Sequence, residues 1–205
     1  MDGIQPLLRG RTVTLRVLTL ADAVALALAA AESRDEYGYT RAPDSVEDAQ
    51  RYIEAALADR DTGRRMPFAI EWHDCVVGST SYLDIQQWRW PAGSPLQRTD
   101  HPDSVEIGST WLAASAQRTR CNTEAKYLLL ANAFDVWRVH RVCLKTDERN
   151  TKSRRAIERL GAAFEGVRRA DMPAQDGSVR SSAYYSIVQS EWPAVRERLE
   201  DALAH

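Results

Sequence analysis

Between Asn122 and Trp137 the chain carries Ala125, Tyr127, Leu128, Leu129, Leu130, Ala133, Phe134 and Val136. These apolar side chains spread around most of a helix rather than along one stripe. A helix of that kind needs cover on several sides, and a sheet normally supplies it. No apolar run in the 205 residues approaches the roughly 18–20 needed to span a bilayer. The segment therefore predicts a central helix buried against a sheet, with no membrane partner.

The rest of the chain supplies that sheet. Thr12–Leu18 alternates with period two and reads as a first strand. Thr19 and Asp22 offer N-caps to an Ala/Leu-rich helix through Ala31, and Ser45 with Asp48 opens a second helix through Ala58. Phe68–Trp72 and Val76–Ile85 form a strand pair around a His73-Asp74 turn. A polar stretch with Trp88, Trp90, Pro91, Gly93 and Pro95 precedes a strand at Ser104–Leu112. After the central helix come a strand at Val139–Thr146, a helix at Thr151–Leu160 and a strand at Tyr184–Val188. The expected order is β-α-α-β-β-β-α-β-α-β-β, a mixed α/β sheet, in one domain over residues 1–205.

Charge and cysteine content narrow the function. Twenty-seven basic and 29 acidic residues give a net charge of −2 and a pI near 6.1, without the basic footprint of a nucleic-acid binder. Met1–Pro6 lacks the basic and apolar regions of a leader, and a cytoplasmic location is expected. Cys75, Cys121 and Cys143 are odd in number and lack C-x-x-C spacing, so reduced thiols are expected. His73, His101, His140 and His205 offer no ligand spacing, and no metal is expected. The basic residues are 24 Arg and 3 Lys, a skew that genomic base composition can produce.

The most informative stretch runs from Val105-Glu106-Ile107-Gly108-Ser109-Thr110-Trp111-Leu112 into Gln117-Arg118-Thr119-Arg120-Cys121-Asn122-Thr123-Glu124-Ala125. A strand enters a polar loop that delivers the chain to the N-terminus of the buried helix. Free N–H groups and the positive end of a helix dipole suit an anion there, and Arg118 and Arg120 add charge. Neither G-x-x-x-x-G-K-[ST] nor G-x-G-x-x-G is present.

At this point the sequence resembles the GNAT family, the GCN5-related N-acyltransferases, whose signature at the head of the central helix is Q/R-x-x-G-x-G/A. Gln117 fits its first position, while Arg120 and Asn122 stand where the glycines would be. Asn122 is a plausible substitute, because Asn tolerates left-handed backbone and caps helices. A second segment, Lys145 to Ala162, is similar to the family stretch N-x-x-S-x-[RK]-x-[IVL]-x-x-x-G through Asn150, Ser153, Arg155, Ile157 and Gly161. Phe164-Glu165-Gly166, Tyr185 to Trp192 and Thr40 to Ile53 also fit, so the resemblance spans roughly residues 8 to 200. It points to the branch that includes enzymes acetylating ribosomal-protein N-termini.

The resemblance implies a largely antiparallel mixed sheet flanked by helices, with splayed central strands. It implies direct attack of a primary amine on acetyl-CoA in a ternary complex, the oxyanion held by a backbone N–H of the splayed strand. Glu106 is the implied base, and Ser153 or a tyrosine (Tyr184 or Tyr185) the implied acid. CoA would be held by Gln117, Arg118, Thr119, Arg120, Cys121, Asn122, Thr123, Asn150 and Ser153, with Trp111 and Leu112 lining the pantetheine channel through their backbone. Asn150 and Ser153 are equally helix-start residues, and the Trp111 side chain equally core. Cys121 sits where a helix N-terminus and arginines favour a thiolate, but no partner histidine is identifiable.

On the acceptor side, Asp35, Glu36 and Tyr37 suit a cationic amine on a small molecule or peptide. Trp88 and Trp90 suit a ligand lid or a homodimer contact. Two other readings stand beside acetyl transfer: a non-catalytic acyl-CoA scaffold or sensor, and a succinyl or longer-chain acyltransferase.

Overall fold

The computed structural model describes residues 7–204, so the Met1–Pro6 segment read above for a leader, and His205, lie outside the described residues. Eight strands form one sheet: β1 (Leu7–Arg9), β2 (Val13–Val17), β3 (Arg65–Trp72), β4 (Cys75–Gln86), β5 (Ser104–Leu112), β6 (Arg141–Asp147), β7 (Ala163–Pro173) and β8 (Val179–Val188). Their spatial order is β1-β2-β3-β4-β5-β6-β8-β7. Every neighbouring pair is antiparallel except β5–β6, which is parallel. The helices are α1 (Ala23–Ala31), α2 (Val46–Asp61), α3 (Cys121–Ala131), α4 (Thr151–Leu160) and α5 (Trp192–Ala204).

Strand alternation assigns the two faces. On β4, Ser79 meets the Tyr52 hydroxyl of α2. Tyr82, three residues on, donates to the Leu129 carbonyl of α3 at 2.6 Å. Successive side chains leave a strand on opposite sides, so α2 and α3 lie on opposite faces of the sheet. Helix α1 packs on α2 and β4; α5 packs on α3 and α4. Among the described residues no helix is long and apolar enough to cross a membrane.

The central helix is shorter than its apolar run predicts. It ends at Ala131, and Asn132–Val136 continues as a wider turn in which Trp137 N–H bonds the Asn132 carbonyl. Asn132 is buried and turns its amide to the Tyr82 hydroxyl at 3.3 Å. The strand expected from Val139 begins at Arg141. Two elements lie beyond the expected order. Strand β1 has only three residues, and α5 carries Pro193 in its first turn, an ordinary helix-start position.

Candidate active site at the divergence of two parallel strands

Strands β5 and β6 are joined at only three rungs: Ser104–Arg141, Val105–Val142 and Glu106–Cys143. Beyond Glu106 they separate, leaving Ile107–Leu112 without ladder partners on the β6 side and opening a wedge. On its other side β5 is bulged: Ser79 pairs Trp111 while Ser81 pairs Gly108, so Thr80 alone faces Ser109 and Thr110. Ser109 is exposed and takes φ +48°, a left-handed conformation costly for a residue with a Cβ. Bulges re-aim a strand and gather beside active sites.

Glu106 sits on the last rung. It is 7 % exposed, and its Oε2 lies 3.1 Å from the Lys145 ammonium on β6. A Cβ at position 108 would fall 2.8 Å from Glu106 Oε1, so Gly108 makes room for the carboxylate. Burial pushes the Glu106 carboxyl above the usual range, with Lys145 opposing. Burial lowers the Lys145 ammonium, but Glu106 and neighbouring groups together hold it above its usual value. Lys145 also lies 5.7 Å from the Tyr184 ring centre, and the Tyr184 hydroxyl reaches the Asp171 carboxylate.

Tyr185, the tyrosine expected as an acid, points the other way. It is the strand neighbour of Tyr184 and so leaves the opposite face. Its hydroxyl accepts from Arg154 Nε and donates to Glu158, both on α4, at 3.0 Å each. The tyrosine on the Glu106 face is Tyr184.

At the mouth of the wedge the loop before α3 turns sharply. Arg118 takes φ +60°. The Thr119 hydroxyl donates to the Ala116 carbonyl and accepts from Cys121 N–H. Asn122 and Thr123 N–H groups, in the first turn of α3, have no hydrogen bond among the described residues. Gln117 donates its side-chain amide to the Leu112 carbonyl at 2.8 Å, and its amide oxygen accepts from Lys152. Asn150 caps α4, its Oδ1 accepting from Ser153 N–H at 3.0 Å.

Several expected roles shift with this geometry. Arg120 has an ordinary φ of −72°, so its backbone conformation does not require glycine. Its guanidinium donates to the Leu203 carbonyl at the end of α5, away from the wedge. Cys121 is fully buried, and burial with Glu124 pushes its thiol up to about 12, which disfavours a thiolate there. The Trp111 side chain is core, 3 % exposed and edge-on to Tyr37. The Leu112 carbonyl carries Gln117 and, at 2.9 Å, the Tyr37 hydroxyl.

The expected acceptor residues do not form one site. Tyr37 is buried core, its hydroxyl pushed up to about 12 by burial. Glu36 pairs with Lys152 on α4, and only Asp35 of the three is exposed. Tyr37 directly, and Glu36 through Lys152 and Gln117, approach the Leu112 end of β5. Trp88 and Trp90 gather at its Ser104 end: Trp90 Nε1 donates to Asp103 at 3.1 Å, and Trp88 stacks on His140 at 5.5 Å. The eight steps along this nine-residue strand, at ~3.3 Å each, put those ends about 26 Å apart, too far for one small amine to touch both.

A sequence profile for the acetyltransferase (GNAT) domain matches residues 12–163. The chain belongs to the GNAT acetyltransferase family. A T. thermophilus protein assigned as an acetyltransferase is 34% identical, with TM-score 0.81 over 99% of this chain and 100% of that one. A GCN5-related N-acetyltransferase from Brucella melitensis is 25% identical, with TM-score 0.78 over 97% of this chain and 86% of that one. Mycobacterium smegmatis RimJ, in complex with CoA-disulfide, shares the fold at 22% identity, with TM-score 0.76 over 97% of this chain and 93% of that one. Among curated proteins none matches the chain.

Membership makes this GNAT chain an N-acetyltransferase, acyl-CoA-dependent in general terms. Its own residues fit a CoA diphosphate: two unbonded N–H groups at the head of an 11-residue helix, with Lys152 beside Gln117 and Arg118 near enough to act on Glu36. Two site residues escape the sequence reasoning, Lys145 and Lys152. Their signal lay in composition, for the chain's three lysines all reach the segments that form the wedge: Lys126 to Thr110, Lys145 to Glu106 and Lys152 to Gln117.

Proposed function

We propose that the protein transfers acetyl from acetyl-CoA to a primary amine, on a small molecule or a peptide, by direct attack at the open end of the β5–β6 wedge. The observation that carries this reading is the buried Glu106 at the last rung, held 3.1 Å from Lys145 where the strands part. Acetyl-CoA supplies the acyl group as a thioester. Glu106 takes the proton that the amine loses as its nitrogen bonds the acyl carbon. The thiolate released from the broken C–S bond is protonated by solvent or by Tyr184, which shares the Glu106 face.

A carboxyl raised by burial is a stronger base than an exposed one. That matters most for a lysine-like amine, with pKa near 10.4, and less for an α-amine near 7.7–8.0. Arg118, Asn122, Thr123 and Lys152 would hold the diphosphate. Asn150 fixes the start of α4, where Ser153 carries no hydroxyl bond among the described residues.

CoA release from acetyl-CoA against a free-N-terminal peptide, L-lysine and a polyamine tests the reading. Amine-dependent release supports it. Binding of acetyl-CoA without release in any of the three would favour a scaffold instead.

A further inference from the structure

Lys126 projects from α3 into the sheet, is 6 % exposed, and lies on the same helical face as the buried Leu129 and Leu130. Its ammonium has one hydrogen-bond partner among the described residues, the Thr110 hydroxyl at 2.5 Å. That hydroxyl lies 2.7 Å from the Thr80 hydroxyl and 3.4 Å from the Gly108 carbonyl. The four groups therefore brace the β5 bulge from behind: Gly108 and Thr110 bracket Ser109, and Thr80 is the residue opposite. Burial alone pulls the Lys126 amine down to about 7. No carboxylate pairs with it among the described residues.

An unpaired amine inside a core is expensive, and an apolar side chain of similar length would fill the space more cheaply. Arginine does not substitute: its planar fork needs more acceptors than one hydroxyl provides.

We propose that Lys126 is a positioning residue for acyl transfer, which through Thr110 holds the β5 bulge so that the backbone N–H groups beyond Glu106 face the acyl carbonyl. The inference rests on the acetyltransferase reading. It requires no change in diphosphate binding, because the Lys126–Thr110 contact lies along β5 and not at the head of α3.

Acetyl-CoA carrying 13C at the acetyl carbonyl tests it without turnover. In the wild type, hydrogen bonding to the bound carbonyl moves its resonance downfield. Lys126→Met and Thr110→Val should lose most of that shift while CoA affinity stays within about twofold. With an amine acceptor that the wild type accepts, kcat should fall about tenfold or more. Thr110→Ser, which keeps the hydroxyl, should restore the shift. A full downfield shift in Lys126→Met, or loss of CoA affinity in step with loss of the shift, would overturn the inference. If Lys126→Met does not fold, Thr110→Val and Thr110→Ser read the same contact from the other partner. A wild type that binds no acetyl-CoA would overturn the transferase reading, and this inference with it.

Discussion

The Glu106 carboxylate and the Lys145 ammonium face each other at 3.1 Å across the last rung that joins β5 to β6. Burial raises the carboxyl and the lysine opposes that rise. Lys145 thus limits how far burial lifts this carboxyl above its usual range.

Removing the cation should therefore act through pH. Lys145→Met leaves the carboxyl buried without its main opposing charge, so the acid limb of the kcat/KM profile should move to higher pH. A pH–rate series on both proteins checks this. An unmoved limb would mean that the limb belongs to another group.

The two adjacent tyrosines should behave differently. Tyr184→Phe removes a hydroxyl on the Glu106 face and should lower kcat by about tenfold or more. Tyr185→Phe removes the hydroxyl bonded to Arg154 and Glu158, and should cost stability of about 1 kcal/mol rather than turnover. Steady-state kinetics beside thermal melts separate the two.

Much of this arrangement was legible in the sequence. The strand at Ser104–Leu112, the loop after it and the head of α4 follow from period, polarity and capping residues, and Asn150 caps where its type predicts. Glu106 could be named because it lies on that strand. Lys145 could not be tied to it, since the contact crosses between strands 39 positions apart, a distance no local pattern encodes. Tyr184 and Tyr185 were not separable for the same reason: their alternation is visible, but which face carries Glu106 depends on the register of β6 with β8. The acceptor residues could not be sorted from sequence, because an aromatic residue looks the same whether it is core, as Tyr37 is, or lies exposed on a loop, as Trp88 does.

Helix α4 should show its cap directly. Asn150→Ala removes the bond to Ser153 N–H and should cost about 1 kcal/mol, or about 2–4 °C in Tm for a chain of this size. Differential scanning calorimetry measures it.

Lys126 makes stability depend on pH in an unusual direction. Its amine titrates near 10.5 when exposed, and burial lowers it to about 7 in the fold. Between those values the unfolded chain binds more protons, so this group's penalty is full below about pH 7 and fades as pH rises toward 10.5. Lys126→Met should raise Tm at pH 6 and much less at pH 9. Melts across that range check the sign.

The central claim is that Glu106 serves the chemistry and not the binding of acetyl-CoA. Glu106→Gln keeps the shape of the side chain and removes the base. Its affinity for acetyl-CoA, measured by calorimetry, should match the wild type. Its amine-dependent release of CoA should be slower by about 10² or more. Equal rates in the two proteins across pH would contradict the account.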